Sequence, residues 1–153
     1  MSLAYYGREV SQKTINEAGK PRHPDLYAGD VDRALDGLGV TYVRYDASGN
    51  VQPFIAWIQD QLRHGHPVIC GCKIYPDEHL NWSLDHFVLA VGFDAQGLWL
   101  NTQLDLDGRV LVPYARLDSG QRGYAFRNGQ HRYFGRAITG FRAGATYGSV
   151  GEP

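Results

Sequence analysis

The sequence is poor in cysteine, with two thiols among 153 residues. Cys70 and Cys72 stand two positions apart in a predicted strand, so their side chains point the same way with one residue between them. This is poor geometry for a mutual disulfide, and we expect reduced thiols. Without a disulfide, the fold must be stabilised by burial of its hydrophobic core. A chain of this length can bury roughly two thirds of the surface that its unfolded form exposes.

An excess of one charge and a long apolar run are also missing. Lysine and arginine total 15, aspartate and glutamate total 16, and neither sign forms runs. The sequence therefore has no electrostatic footprint for nucleic acid or an acidic membrane, which favours peptides or small molecules as partners. The longest apolar stretches are strand-length, far short of the roughly 18 to 20 residues that span a bilayer. We expect no membrane span.

Two further patterns are missing. The N-terminal stretch MSLAYYGREV lacks the basic start and long apolar segment of a signal peptide, so we expect a cytoplasmic protein. The sequence also lacks a glycine-rich turn between a strand and a helix, the pattern of a nucleotide or flavin site. No cofactor is expected.

Residues 1–66 form the mainly helical half of the predicted domain. The stretch Leu3–Gly7 has the pattern of a last helical turn closed by glycine. The β-branched and aromatic residues of Val40–Tyr45 predict a strand. Three further helices are predicted: Gln12–Ala18 capped by Ser11, a second capped by Asp30 with Val31, Leu35 and Leu38 on its apolar face, and a third from Pro53 to Gly65.

Residues 67–143 have the pattern of an antiparallel sheet, in which the turn-rich stretches DAQG and DLDG separate apolar runs. Asn128-Gly129 marks a further hairpin. The predicted strands are VICGCKIY, HFVLAVGF, LWLNTQL, RVLVPY, YAF, HRYF and GRAITGF. Helices followed by a sheet give the α+β class. We expect one domain over residues 1–153, with residues 144–153 as a frayed tail.

The run DHFVLAVGFDAQGLWLN, Asp85–Asn101, has the layout of a base and its orienter in a cysteine hydrolase. His86 opens one predicted strand, a tight turn reverses the chain, and Asn101 lies near the end of the next strand. The two polar side chains are therefore predicted to meet at one edge. In such a hydrolase the histidine accepts the thiol proton and its partner fixes the ring. His86 and Asn101 are the candidate catalytic residues.

With Ala4-Tyr5-Tyr6-Gly7 and Gly65-His66-Pro67-Val68, this run resembles the papain-like cysteine peptidases of the bacteriocin-processing, double-glycine type. The resemblance covers about residues 4–115 and is most specific from His86 to Asn101. It implies a papain-like fold, with N-terminal helices packed on an antiparallel sheet. It also implies hydrolysis of peptide bonds in a peptide or protein substrate.

The sequence departs from that family at the nucleophile. The catalytic cysteine, and the glutamine that binds the oxyanion, would lie upstream of Met1. We therefore expect the chain as written to be inactive on peptides. The shortened central helix is expected to leave an apolar strip exposed, which predicts either a homodimer through that surface or low stability.

Two other hypotheses remain open for the function. A relative without a nucleophile would keep the cleft to bind a peptide or protein partner. A small domain that uses the sheet for an unrelated interaction is the third hypothesis. In that case His86 is a hydrogen-bonded structural residue, Asn101 only finishes a strand, and Trp99 is a core residue.

The remaining polar and thiol residues favour structural roles. Cys70 and Cys72 lie in mid-strand, where apolar burial raises the pKa of a thiol, so we expect them in the core. The sequence Asp105-x-Asp107-Gly108 lacks the later glutamate of a calcium loop. A zinc site would have to gather His64, His66, Cys72, His79 or His86. Their spacing matches no zinc motif, and no metal is expected.

Overall fold

A computed structural model describes residues 6–23, 26–75, 84–103, 107–119, 123–126 and 132–144. Within them the chain is α+β, which confirms the predicted class. The helices are α1 (Gln12–Gly19), α2 (Ala28–Gly37), α3 (Val51–Arg63) and α4 (Tyr114–Ser119). The strands are β1 (Val40–Ser48), β2 (Val68–Tyr75), β3 (Leu84–Phe93), β4 (Gly97–Asn101), β5 (Arg109–Pro113), β6 (Gly123–Ala125) and β7 (Arg132–Phe141). No helix in these ranges is long and apolar enough to cross a membrane.

The described strands form a seven-stranded sheet in the order β1-β7-β2-β3-β4-β5, with β6 paired to β2. Strand β2 pairs antiparallel with β3, β6 and β7. Strand β4 pairs antiparallel with both β3 and β5. The register between β3 and β4 shifts at a bulge between Ala90 and Gly92. This strand order does not by itself establish the papain-like fold, which stays a prediction.

The described residues fall into two compact units, residues 43–138 and residues 6–42 with 139–144. In the first unit, the apolar side of α3 packs on one face of the sheet. Phe54 and Ile58 of α3 are fully buried. The sheet residues in the same buried cluster are Val68, Cys70, Cys72, Val88, Ala90, Leu98, Leu100, Val112, Tyr133 and Ala137. Because these residues alternate along β2, β3 and β4, they define the core-facing side of the sheet.

The same unit contains a nearly buried ion pair between β1 and β7. Arg136 is only 3% exposed, and its two terminal nitrogens each lie 3.1 Å from a carboxylate oxygen of Asp46. Its guanidinium also lies 4.0 Å from the ring centroid of Phe134. This fork geometry satisfies the charge that burial would otherwise penalise.

In the second unit, the predicted cap of α1 is confirmed, because the Ser11 hydroxyl accepts a hydrogen bond from the Thr14 amide at 3.1 Å. The predicted start of α2 is wrong. The helix begins at Ala28, and Asp30 lies inside its first turn, where its carboxylate accepts from the Tyr27 amide at 3.0 Å. An acidic residue suits both positions because it can bind free amides at a helix start.

Other boundaries also differ from the prediction. Helix α3 begins at Val51, two residues before Pro53, since proline is tolerated throughout the first turn. Strand β5 ends at Pro113, and Tyr114 begins α4, which the sequence analysis missed. The segments HRYF and GRAITGF are predicted as separate strands, but Arg132–Phe141 forms the single strand β7, and His131 lies outside the described residues. The predicted hairpin at Asn128-Gly129, the helix end over residues 3–5 and the tail from residue 145 lie outside the described residues.

Gly135 lies where the sequence suggests a boundary between two strands, but β7 continues through it. A Cβ atom built there would lie 2.6 Å from the Trp57 ring and 2.8 Å from the Phe54 ring. The glycine therefore gives two aromatic rings of α3 room to approach the strand. Its role is close packing, and the strand does not end there.

Candidate active site

His86 lies on the core-facing side of β3, two residues before the buried Val88. Its cross-strand partner on β2 is Cys72, and the pair continues the row formed by Cys70 and Val88. The imidazole is half-buried, and this burial lowers its pKa below the ordinary value of 6.5. The neutral form, which can accept a proton, is therefore favoured at neutral pH.

The described neighbour of the His86 ring is a hydroxyl group. Thr102 Oγ1 lies 3.4 Å from His86 Nε2, a long hydrogen bond, and Thr102 is only 1% exposed. Tyr124 in turn donates its phenolic hydrogen to Thr102 Oγ1 at 3.2 Å. Nδ1, the other ring nitrogen of His86, makes no hydrogen bond to any residue in the described ranges.

Asn101, the predicted orienter, is placed elsewhere. It pairs with Leu89 on β3 and Arg109 on β5. Leu89 is three residues from His86, and side chains alternate along a strand, so Asn101 and His86 lie on opposite faces of the sheet. The structure therefore does not bring these two side chains together. A catalytic role for Asn101 stays a prediction without a contact to support it.

Cys70 and Cys72 are free and buried, which confirms their predicted place in the core. Desolvation raises the pKa of Cys70 well above its ordinary range. Desolvation, with a smaller effect of the nearby Asp85 carboxylate, raises the pKa of Cys72 to about 12. Although Cys72 lies across from His86, no hydrogen bond joins these two residues. Both thiols are protonated at neutral pH, and neither has the properties of a nucleophile.

An ion pair flanks His86 where β2 and β3 lie side by side. Lys73 and Asp85 are cross-strand partners, and their charged atoms approach to 2.6 Å. The Asp85 side chain is 87% exposed, so water screens the pair strongly. Because side chains alternate along a strand, Lys73 and Asp85 lie on the face of the sheet opposite to His86 and Cys72.

No group of three or more potential metal ligands occurs within the described residues. His64 and His66 each use Nδ1 in a local hydrogen bond, to the Asp60 carbonyl at 2.8 Å and to Gln61 Oε1 at 2.9 Å. His79 and Asp105, which the sequence analysis considered as ligands, lie outside the described residues.

Sequence analysis missed Thr102 and Tyr124. A signal for Thr102 exists in the stretch LWLNTQL, where Leu98, Leu100 and Thr102 follow the two-residue period of a buried strand face. Tyr124 carries no comparable local signal, because the pairing of β6 with β2 brings it near Thr102 from a distant part of the chain.

Comparisons with protein-family models, curated proteins and solved structures give no match to this chain.

Proposed function

We propose that this protein is a papain-like cysteine peptidase in which His86 is the general base. The observation that carries the proposal is the state of the imidazole. It is half-buried and favours its neutral form, a buried hydroxyl lies against one nitrogen, and the other nitrogen has no hydrogen-bond partner in the described residues. A general base needs a ring nitrogen that is not engaged in another hydrogen bond, on a ring that is held in place.

The nucleophile in this proposal is a cysteine on residues that precede Met1. The family that the sequence resembles places it at the start of the helix that ends in the Tyr-Tyr-Gly stretch, here Tyr5-Tyr6-Gly7. Burial of Cys70 and Cys72 supports this choice, since neither thiol can form the required thiolate at neutral pH.

The chemistry follows from these two parts. His86 accepts the thiol proton, and the thiolate attacks the carbonyl carbon of the scissile peptide bond. The imidazolium then gives its proton to the leaving amine, and water hydrolyses the resulting thioester with His86 again as base. The helix N-terminus at the cysteine and the imidazolium both stabilise the thiolate.

The proposal predicts hydrolysis that depends on a thiol. Protein purified from its native cells is expected to cleave a mixture of peptides, and alkylation with iodoacetamide is expected to abolish the cleavage. The chain of residues 1–153 is the matched control, and it is expected to cleave none of them because its two thiols are buried. Cleavage that survives alkylation, or cleavage by residues 1–153 alone, would contradict the proposal.

A second candidate is a peptide-binding domain without catalysis. The burial of both thiols favours it, because the described residues then hold a base but no reactive nucleophile. A native mass equal to that of Met1–Pro153, with saturable peptide binding and no cleavage, would establish this function in place of the first.

A further inference from the structure

Two hydroxyl groups form a chain on the Nε2 side of His86, that of Thr102 after β4 and that of Tyr124 on β6. Thr102 follows β4 directly, and its amide donates to the Gly108 carbonyl at 3.0 Å, which fixes the backbone at this position. If the β3–β4 register is extended by one residue, Thr102 lies opposite Val88 and diagonal to His86. Diagonal neighbours on one face of a sheet are close enough for side-chain contact. Tyr124 reaches Thr102 from β6, which is held by its pairing with β2.

From this geometry we infer that Thr102, supported by Tyr124, is the positioning residue of His86 and holds the ring with a proton on Nε2 and a lone pair on Nδ1. This inference rests on the proposed role of His86 as a base. It assigns to a threonine hydroxyl the role that the sequence analysis gave to the Asn101 amide.

The Thr102 hydroxyl can link the Tyr124 phenol to the His86 ring through two hydrogen bonds. A threonine oxygen has two lone pairs, so it can accept both the Tyr124 hydrogen and a hydrogen on Nε2. With Nε2 protonated, Nδ1 of the neutral ring is unprotonated and can accept a proton. Thr102 is stiff at its branched Cβ and nearly excluded from water, so its oxygen keeps one position.

A neutral orienter also differs electrically from a carboxylate. A carboxylate beside a histidine would favour the imidazolium and raise the pKa of the ring. The hydroxyl of Thr102 carries no net charge, and desolvation is the cause of the lowered pKa of His86. Thr102 therefore orients the ring without charging it.

Nitrogen-15 NMR of the His86 ring in the chain of residues 1–153 tests this inference without any activity assay. The expected spectrum of the neutral ring shows the proton on Nε2. Thr102→Val, which keeps the shape of the side chain and removes the oxygen, is expected to shift the tautomer ratio about 2- to 10-fold toward Nδ1, as the loss of one hydrogen bond predicts. Thr102→Ser is expected to retain the Nε2–H tautomer.

Tyr124→Phe provides a second variant that retains the Thr102 oxygen, and a smaller shift in the same direction is expected. The backbone amide spectrum of each variant shows whether the fold is retained. A ring protonated on Nδ1 in the unaltered chain would overturn the inference, as would a folded Thr102→Val chain with an unchanged tautomer ratio. If Thr102→Val does not fold, an unchanged ratio in Tyr124→Phe would overturn the Tyr124 support. Neither result depends on peptide cleavage. The positioning role of Thr102 and the proposed peptidase function can therefore fail separately.

Discussion

Replacing His86 with alanine is expected to lower kcat/KM for peptide hydrolysis by the native protein about 10²- to 10⁴-fold, the usual contribution of a positioned general base. The physical reason is that His86 supplies the unprotonated nitrogen and the later imidazolium, and no described side chain near it can do both. Steady-state kinetics on a single cleaved peptide would measure the loss.

His64→Ala is the matched control for this variant. The His64 ring is exposed in the turn after α3, and its described contacts are with Asp60 in the last turn of that helix and with the neighbouring ring of His66. Its removal is expected to leave kcat/KM unchanged. Equal losses in the two variants, or a fully active His86→Ala protein with an intact fold, would remove His86 from the mechanism.

Phe54→Ala is expected to lower the free energy of unfolding by about 3–5 kcal/mol. Phe54 is fully buried at the centre of an aromatic cluster between α3 and the sheet. Its ring centroid lies 4.9 Å from Tyr45, 6.2 Å from Trp57, 5.1 Å from Phe126 and 5.4 Å from Tyr133. Truncation removes these contacts and leaves a cavity that the rigid neighbouring rings cannot fill.

Urea denaturation of the chain of residues 1–153, followed by circular dichroism, measures this change. Val43→Ala serves as the control, because Val43 is 43% exposed and its truncation is expected to change stability by no more than about 0.5 kcal/mol. Phe54→Leu is expected to fall between the two, since it keeps part of the buried volume. A Phe54→Ala chain as stable as Val43→Ala would contradict the assignment of this core.

The elements around the site could be predicted because their apolar patterns are local. The run VICGCKIY coincides with β2, and the turn DAQG joins β3 and β4 as expected. Burial of Cys70 and Cys72 also followed from their place in an apolar strand. Each of these predictions needs only the two-residue period of a strand and the chemistry of a turn.

The partner of His86 could not be predicted in the same way, because it depends on register. A shift of one residue moves a side chain to the other face of the sheet, and this difference separates Asn101 from Thr102. The bulge between Ala90 and Gly92 also changes the register within the same hairpin. A sequence does not reveal such a shift, and asparagine appeared the better orienter from its amide alone.

Tertiary packing decided the other differences. From the sequence alone, Gly135 suggests the end of a strand. In the structure, the strand continues, and the rings of Trp57 and Phe54 can approach this position closely because glycine has no side chain. Tyr114 begins α4 after the strand residue Pro113, and its phenolic oxygen donates to the Asp94 carbonyl at 2.6 Å. Contacts between residues so far apart in the chain have no signature in a short window of sequence.

The most direct test of the central claim is to identify the residue that reacts when the native protein is treated with a peptide bearing an electrophilic vinyl sulfone. Peptide mapping by mass spectrometry locates the modification, and intact mass gives the length of the native chain. The account predicts one modified cysteine upstream of Met1, no modification of Cys70 or Cys72, and slower labelling in His86→Ala. Modification of Cys70 or Cys72, or an unlabelled native protein with the mass of Met1–Pro153, would contradict it.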